Sequence, residues 1–296
     1  IWNIEQSRKV EGQMRIQNNI ASINSARNQG IAKGKINKTL EKLSSGYRIN
    51  RAGDDAAGLA ISELMRSQIA GLDQAMRNNN DGISMTNTGE GALQEVHSML
   101  QRMKTLAVQA ANGTYDSVAR ANIDMERQEL LGEIDRISQT TDFAGIPLFG
   151  TAETIPPGFT PPELKDNIVL QIGHSSEETM DVGRYYMGSK ELLLDKVSFR
   201  SGETANEAMG KIDAAIEAVA DVRASFGATL NHLEHTNNNL GVTKENMTAA
   251  ESGIRDTNMA EKFTEFTTEN ILLQAANAML SHANNLPEFA LRLLQG

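Results

Sequence analysis

The pattern that most strongly predicts the architecture of this chain lies in the stretch LQEVHSMLQRMKTLAVQA at residues 93–110. Its apolar residues are separated by alternating steps of three and four: Leu93, Val96, Leu100, Met103, Ala107 and Ala110. This spacing places them on one stripe of an α-helix, as in a coiled coil. A helix over residues 56–110 would be roughly 80 Å long, and it needs a partner helix to bury its stripe.

The same periodicity extends to both sides of this stretch. Upstream it continues through Met65, Ile69, Leu72 and Met76. In the C-terminal half it predicts a stripe through Ile212, Ile216, Val219, Arg223, Phe226, Leu230, Leu233, Asn237 and Leu240. A third periodic segment follows the turn signal Asn112-Gly113, and we expect it to fold back antiparallel to the long helix. Helix propensity alone would interrupt the long helix at residues 78–82.

Five of the six prolines form a cluster: Pro147, Pro156, Pro157, Pro161 and Pro162. Because proline breaks helices, the cluster predicts a loop, and the proline-free flanks permit long helices. Residues 167–172 and 179–182 then predict two short strands joined by a turn at residues 173–178. The predicted fold is mainly α, a long antiparallel coiled-coil-like helical rod with a small β-hairpin.

The composition excludes several classes of partner. The net charge is −10, which argues against nucleic acid as the main partner because phosphate binding requires clustered Lys and Arg, and it gives no reason to expect attraction to an anionic membrane. No stretch approaches the roughly 20 apolar residues of a membrane span. The chain has no cysteine, which excludes disulfides and thiolate metal sites.

Two adjacent carboxylates, Asp54 and Asp55, are the strongest candidates for acid–base chemistry. Their context, RAGDD at residues 51–55, instead favours capping of a helix N-terminus and ion pairing with Arg48 or Arg51. We therefore interpret them as structural.

Two histidines, His232 and His235, are three residues apart. No third ligand accompanies them, so surface histidines are favoured over a metal site. No phosphate loop, zinc-protease motif or nucleophile elbow is present. The sequence therefore predicts no catalytic, cofactor-binding or metal site, and a protein that is not an enzyme.

Several stretches resemble the signature regions of bacterial flagellins. MRIQNNI at residues 14–20 is similar to the opening of that family, and LEKLSSGYRINRAGDDAAGLAIS at residues 40–62 is similar to its most diagnostic stretch. NMTAAES at 246–252, IRD at 254–256 and NILLQAA at 270–276 resemble the C-terminal signature. The resemblance covers residues 14–150 and 204–296, in the order expected of the family.

The resemblance implies a division into domains. Residues 14–55 and 247–296 would pair as terminal helices in an inner domain, the filament core. Residues 56–150 and 183–246 would form the helical rod domain, with the loop and hairpin at 151–182 inside it. Large outer domains are absent from this short chain, and the long helix would continue through residues 78–82. Residues 1–13 are an atypical extension.

The resemblance also implies the function. Copies would self-assemble into the flagellar filament after secretion through the type III export apparatus, aided by an export chaperone, with hook-associated and cap proteins as further partners. We expect the terminal helices to be loose in the monomer and to order on assembly. Assembly residues are expected at Leu40, Leu43, Arg48, Ile49, Asn50, Arg51, Asp54, Asp55, Ile271, Leu272, Leu273, Leu293 and Leu294.

Three positions match residues through which some flagellins engage Toll-like receptor 5: Arg102, Leu106 and Glu126. Arg102 and Leu106 are four residues apart on the long helix, and Glu126 should lie on the helix folded back beside it. Such a group is a plausible binding hot spot, and the same surface is also expected to pack between subunits.

Three features depart from the family pattern: the extension containing Trp2, the charged residues Glu288 and Arg292 in the tail, and Leu230 with His232 in place of the usual glutamine and arginine. Two alternatives remain at this point. One is a hook–filament junction protein, and the other is a coiled-coil binding module that does not polymerise. An enzyme would require catalytic groups in the central 55 or so residues, where the sequence offers none.

Overall fold

A computed structural model describes residues 18–150 and 167–295 of the chain. This part contains five long helices: α1 (Ile20–Ser45), α2 (Ala56–Ala111), α3 (Ser117–Thr140), α4 (Gly202–Arg255) and α5 (Met259–Gln295). The mainly α fold is as predicted. The extension at residues 1–13, the prolines from Pro156 to Pro162, and the side chains of Arg292, Leu293 and Leu294 lie outside the described residues.

The strands are short and pair in twos. β1 (Asp142–Phe143) pairs antiparallel with β2 (Ile146–Pro147), and β3 (Phe149–Gly150) pairs parallel with β6 (Tyr185–Tyr186). The predicted hairpin is confirmed, because β4 (Ile168–Gln171) pairs antiparallel with β5 (Thr179–Val182). The sequence did not predict the two-residue pairs, which are too short to show periodicity.

The chain divides into two compact units. The first unit comprises residues up to Arg66 together with those from Thr248 onward, and the second comprises Ser67–Met247. Within the first unit, α1 packs against α5. The boundary between the units falls inside α2 and near the end of α4, eleven residues later in α2 than the predicted domain boundary.

The core of the second unit is built on the α2 stripe. Leu93, Val96, Leu100 and Met103 are almost fully buried and belong to one cluster with side chains of α3 and α4. Full burial of such a side chain stabilises a fold by about 1.5–3 kcal/mol. The alternating spacing in α2 therefore predicted the core correctly.

The predicted stripe on α4 is only half right. Ile212, Val219, Phe226 and Leu233 are buried as predicted. The core positions between them, however, are Ala215 and Val222 rather than Ile216 and Arg223. Arg223 instead forms an ion pair with Glu90 at 2.7 Å. A small side chain at a core position allows two helices to approach closely. A sequence pattern based on large apolar residues misses such a position and selects the larger residue next to it.

The α2 helix continues through residues 78–82 despite their low helix propensity. Gly82 explains why, because a Cβ atom there would lie 2.6 Å from Cδ1 of Leu170 and 3.3 Å from Cδ1 of Leu233. The hairpin and α4 therefore pack directly on the helix backbone at this point. Tertiary packing outweighs a propensity deficit of about 1 kcal/mol for a glycine.

A buried carboxylate ties the segment before α4 to α3. Asp124 accepts hydrogen bonds from Nε of Arg127 at 2.8 Å and from the backbone N–H of Phe199 at 3.0 Å. Burial alone would raise the pKa of Asp124, but these hydrogen bonds and the Arg127 charge hold the pKa below its ordinary value.

Among the described residues, no helix is long and apolar enough to cross a membrane.

Candidate functional site

The two stretches that most resemble signatures in the sequence meet in the first unit. α1 ends at Gly46, whose φ of 75° is left-handed and suits glycine, and whose N–H donates to the Lys42 carbonyl. The Gly46 carbonyl accepts a hydrogen bond from the Thr257 N–H at 2.9 Å, and the Arg48 N–H donates to the Arg255 carbonyl at 2.7 Å. We call this junction of residues 46–51 with residues 254–257 the clasp.

Arg255 is the central side chain of the clasp. Its guanidinium carbon lies 5.0 Å from the centre of the Tyr47 ring, and Nη1 lies 2.6 Å from the Glu63 carboxylate. The Arg255 hydrogen bond holds the pKa of Glu63 below its ordinary value. The Arg48 guanidinium donates to the Ile254 carbonyl from the other side. Residues far apart in sequence are thus joined by main-chain and charged contacts.

The loop between α1 and α2 is closed by two aspartates. Oδ2 of Asp54 accepts the N–H groups of Asn50 and Arg51, both at 3.2 Å, and these bonds lower the pKa of Asp54. Oδ1 of Asp55 accepts the Gly58 N–H at 2.9 Å and caps α2. The predicted ion pairs of these aspartates with arginine are wrong, because among the described residues Arg51 pairs with Glu41.

Ile49 seals the inside of this loop and is almost fully buried. A Cβ atom on Gly58 would lie 2.8 Å from Cδ1 of Ile49. The glycine therefore lets the start of α2 approach the isoleucine closely, which fixes the loop against the helix.

The face that α1 and α5 share is narrow and largely polar. Nδ2 of Asn19 donates to the Ala283 carbonyl at 2.6 Å, and Oγ1 of Thr39 donates to Glu269 at 2.9 Å. Among the described side chains of these helices, the fully buried ones are Ile36, Thr39, Glu269 and Ala283. Only two of these four residues are apolar.

Many of the described apolar side chains of the pair are exposed instead. Among the side chains that the structure describes on α1 and α5, the exposed large apolar residues are Ile20, Ile23, Ile31, Leu40, Met259, Phe263, Ile271, Leu272, Met279 and Leu286. The expected assembly residues Leu40, Ile271 and Leu272 are among them, while Leu43 and Leu273 are half-buried. This amount of apolar exposure on one helix pair marks an interaction surface.

The three positions matched to receptor recognition do not all lie at the surface. Nη2 of Arg102 lies 2.8 Å from Oε1 of Glu126, and both side chains are about half exposed. Leu106 is only 1% exposed and belongs to the core cluster. The expectation that Leu106 shares the outer face with Arg102 is corrected, because α3 and α4 both pack on α2 and widen its buried face.

Sequence reasoning did not identify the partners within the clasp. A main-chain hydrogen bond such as that between Arg48 and Arg255 leaves no mark on residue type. Nδ1 of His232 lies 3.0 Å from the Met180 sulfur, and residues 18–150 and 167–295 contain no group of three side chains that could hold a metal ion.

The fold and the clasp define a mainly helical protein in which α1 and α5, far apart in sequence, pair with each other. Comparison with protein families gives the particular family. The model of the bacterial flagellin N-terminal helical region matches residues 16–154, and that of the C-terminal helical region matches residues 209–294. The chain belongs to the bacterial flagellin family, and as such it is a structural subunit of the flagellar filament.

Individual relatives agree with this assignment. The chain is 46% identical to a flagellin of Halalkalibacterium halodurans, over 95% of this chain and 100% of that protein. It is 40% identical to the flagellar filament 31.3 kDa core protein of Treponema maltophilum, with the same coverage. A putative flagellar hook-associated protein from Vibrio parahaemolyticus shares the fold, with a TM-score of 0.57 and 15% identity over 69% of this chain and 100% of that one.

Proposed function

We propose that copies of this chain build the filament by burying the exposed apolar side chains of α1 and α5 against one another. The carrying observation is the set of exposed apolar side chains on a helix pair whose described side chains include only two fully buried apolar residues, Ile36 and Ala283. The clasp supports this proposal because it holds together the segment after α1 and the segment before α5.

The energetics favour assembly over a lone helix pair. An isolated helix gains little stability in water without packing. Burying one large apolar side chain contributes about 1.5–3 kcal/mol, so covering several of them adds a driving force that the lone helix pair lacks. Contacts between different surfaces of identical copies produce an open helical polymer when the rotation between copies does not close into a ring.

The further partners follow from a filament outside the cell. A subunit made inside the cell must be exported, and family membership supports the flagellar type III apparatus as the route. An export chaperone would hold the C-terminal segment, whose exposed residues such as Phe263 and Met279 would otherwise aggregate. Hook-associated and cap proteins would bound the polymer at its ends.

Seeded assembly followed by electron microscopy tests the proposal. The wild-type chain should elongate filament seeds, and the double variant I271E/L272E should not, because its charges fall on the surface to be buried. Val242→Glu is the matched control, since Val242 is 60% exposed and Ile271 is 62% exposed. Filaments from I271E/L272E would contradict the proposed surface. No filaments from the wild type would favour a junction protein or a non-polymerising module.

We further propose that the exposed Arg102–Glu126 pair is the receptor-facing element for Toll-like receptor 5. Charged groups at the centre of a contact, backed by a rigid core, are typical of hot spots. Leu106 is buried in the core, so it would fix the position of the α2 backbone rather than contact the receptor. This proposal is supported by the 2.8 Å pairing of the two side chains on adjacent helices.

Receptor activation in reporter cells tests this second proposal. Arg102→Ala and Glu126→Ala should each reduce activation at least about tenfold. Lys104→Ala is the control, because Lys104 is a similarly exposed cation on the same helix and pairs with Asp213. Equal activation by all three variants would exclude this pair as the recognition element.

A further inference from the structure

Leu193 adopts a backbone conformation that its side chain disfavours. Its φ is +58°, in the left-handed region that residues other than glycine rarely occupy. Within the described ranges, the only other such residue is Ala144, which lies in the tight turn between β1 and β2. Strained residues of this kind persist only where the surrounding structure holds them, and they cluster at functional contacts.

The turn around Leu193 is held by its own backbone. The N–H of Leu192 donates to the Gly188 carbonyl at 3.0 Å, that of Leu193 to Lys190 at 3.1 Å, and that of Leu194 to Ser189 at 2.8 Å. This network leaves no freedom for Leu193 to relax into an ordinary conformation.

The base of the turn is anchored to α3. The Ser189 N–H donates to Oδ1 of Asp135 at 2.7 Å, and the Ser189 hydroxyl donates to Oδ2 at 2.8 Å. The turn is therefore a rigid platform on the second unit.

The left-handed conformation of Leu193 does not serve to bury the Leu193 side chain. Leu192 and Leu194 on either side are buried, whereas Leu193 is 64% exposed. A turn that served only to bury its two neighbours would work equally well with glycine or asparagine at this position. A strained, exposed leucine on a rigid platform is an apolar knob presented to something outside the chain.

We propose that Leu193 docks on the exposed apolar stripe of α3, formed by Val118 and Met125, in a second copy of this chain. The two stripe residues are 66% and 58% exposed and lie seven residues apart, on the same side of α3 and about 10 Å from each other. This inference rests on the proposed self-assembly and names one contact within it.

Charge supports this pairing of surfaces. Two exposed cations, Lys190 and Lys196, flank the knob and outnumber Asp195. The stripe is bordered by exposed Asp116 before Val118 and by Glu129 one turn after Met125. Opposite charges around an apolar centre give a contact its specificity. Because knob and stripe are different surfaces of the same unit, their contact is heterologous and can repeat from copy to copy along a helical filament.

Substitution of Leu193 separates docking from folding. Asparagine and glycine both tolerate the left-handed conformation, so Leu193→Asn and Leu193→Gly should leave the thermal unfolding temperature unchanged or raise it. Both should raise the critical concentration for seeded filament growth by about tenfold, since the apolar contact is lost. Leu193→Met, which keeps an apolar side chain, should assemble like the wild type.

Crosslinking tests the identity of the partner surface. The chain contains no cysteine, so introduced thiols report only the chosen positions. The variant L193C/M125C, oxidised as filaments, should give a ladder of dimers, trimers and higher species on a non-reducing gel, because disulfides need Cβ atoms about 4 Å apart. L193C/V242C should give none.

The outcomes separate this contact from the proposed function. Wild-type filaments together with normal assembly of L193N would overturn the knob and leave self-assembly intact. An equally strong ladder from the V242C control, or none from L193C/M125C, would overturn the α3 stripe as the partner. Absence of wild-type filaments would overturn both proposals together.

Discussion

Arg255 and Tyr47, separated by more than two hundred residues, are stacked with the guanidinium carbon 5.0 Å from the ring centre. The same guanidinium forms an ion pair with Glu63, and the side chain of Arg255 is only 13% exposed. Main-chain hydrogen bonds run alongside this stack between Arg48 and Arg255 and between Thr257 and Gly46. The segment that follows α1 and the C-terminal end of α4 are thereby joined at one point.

Removing this side chain should loosen the clasp. Arg255→Ala loses the contact with the Tyr47 ring and leaves Glu63 without its closest cation, so we expect a loss of about 1–3 kcal/mol in the stability of the first unit. Arg66→Ala is the matched control, because Arg66 pairs with the same Glu63 but its side chain is 54% exposed. Limited proteolysis at residues 46–55 measures the difference. Equal cleavage of the two variants would contradict the central place given to Arg255.

Gly82 should resist replacement although alanine is the better helix former. A Cβ atom at Gly82 would lie 2.6 Å from Cδ1 of Leu170, so that side chain must move and Gly82→Ala should lose part or all of the helix-propensity gain of alanine. Gly91 lies in the same helix with nothing within 4 Å of its Cβ position, so Gly91→Ala should stabilise by about 0.5–1 kcal/mol. Urea unfolding of both variants checks that Gly91→Ala stabilises the second unit more than Gly82→Ala does. Equal stabilisation by the two variants would show that the hairpin does not pack as described.

Asp124 should make the second unit sensitive to acid. Its pKa is lowered in the folded chain, so its contribution to stability is present above the ordinary value of 3.8 and is lost as the pH falls through the lower folded pKa. Asp124→Asn leaves Arg127 buried without its anion and should cost about 3 kcal/mol at pH 7. Chemical unfolding between pH 2 and pH 7 measures this, and the difference in the free energy of unfolding between variant and wild type should disappear towards pH 2. A difference that stays constant with pH would exclude the ionised carboxylate of Asp124 as its source.

Glu191 should make the stability of the second unit depend on pH in the direction opposite to Asp124. Burial first, and then the charge of Asp135, raise its pKa, while Lys190 opposes the shift. Stability is therefore highest below the ordinary value of 4.5 and falls as the pH rises from there through the raised folded pKa. The neutral variant Glu191→Gln should be more stable than the wild type at pH 7 and equal to it at about pH 4. The thermal unfolding temperature at the two pH values checks this, and a destabilised variant at pH 7 would refute it.

Much of the helical fold could be predicted from sequence because it depends on the period of apolar residues. The α2 stripe and the hairpin β4–β5 follow from that period and from turn-forming residues. Helix propensity failed at residues 78–82, because the packing of Leu170 on Gly82 is not visible in local sequence. On α4, small core residues such as Ala215 could not be distinguished from larger neighbours by size alone.

The candidate sites were predicted less completely for a related reason. Resemblance pointed to the stretches that form the clasp, but the contact between Tyr47 and Arg255 is a tertiary feature without a spacing signal. Leu106 was expected to share a helical face with Arg102 because the two are four residues apart, but this spacing does not show which side chains of that face the neighbouring helices cover. Nothing in the run of leucines at residues 192–194 indicates that the middle one is held in a left-handed conformation and turned outward.

The central claim is that α1 and α5 complete their packing only between copies of the chain. Amide hydrogen exchange over residues 20–45 and 259–295, compared between monomers and filaments of the same preparation, tests it most directly. The account predicts rapid exchange in the monomer and slowing by orders of magnitude in the filament, with much smaller changes at core residues such as Leu100. Equal protection of these two helices in monomer and filament would show that they are already stable alone, and would contradict assembly through their exposed faces.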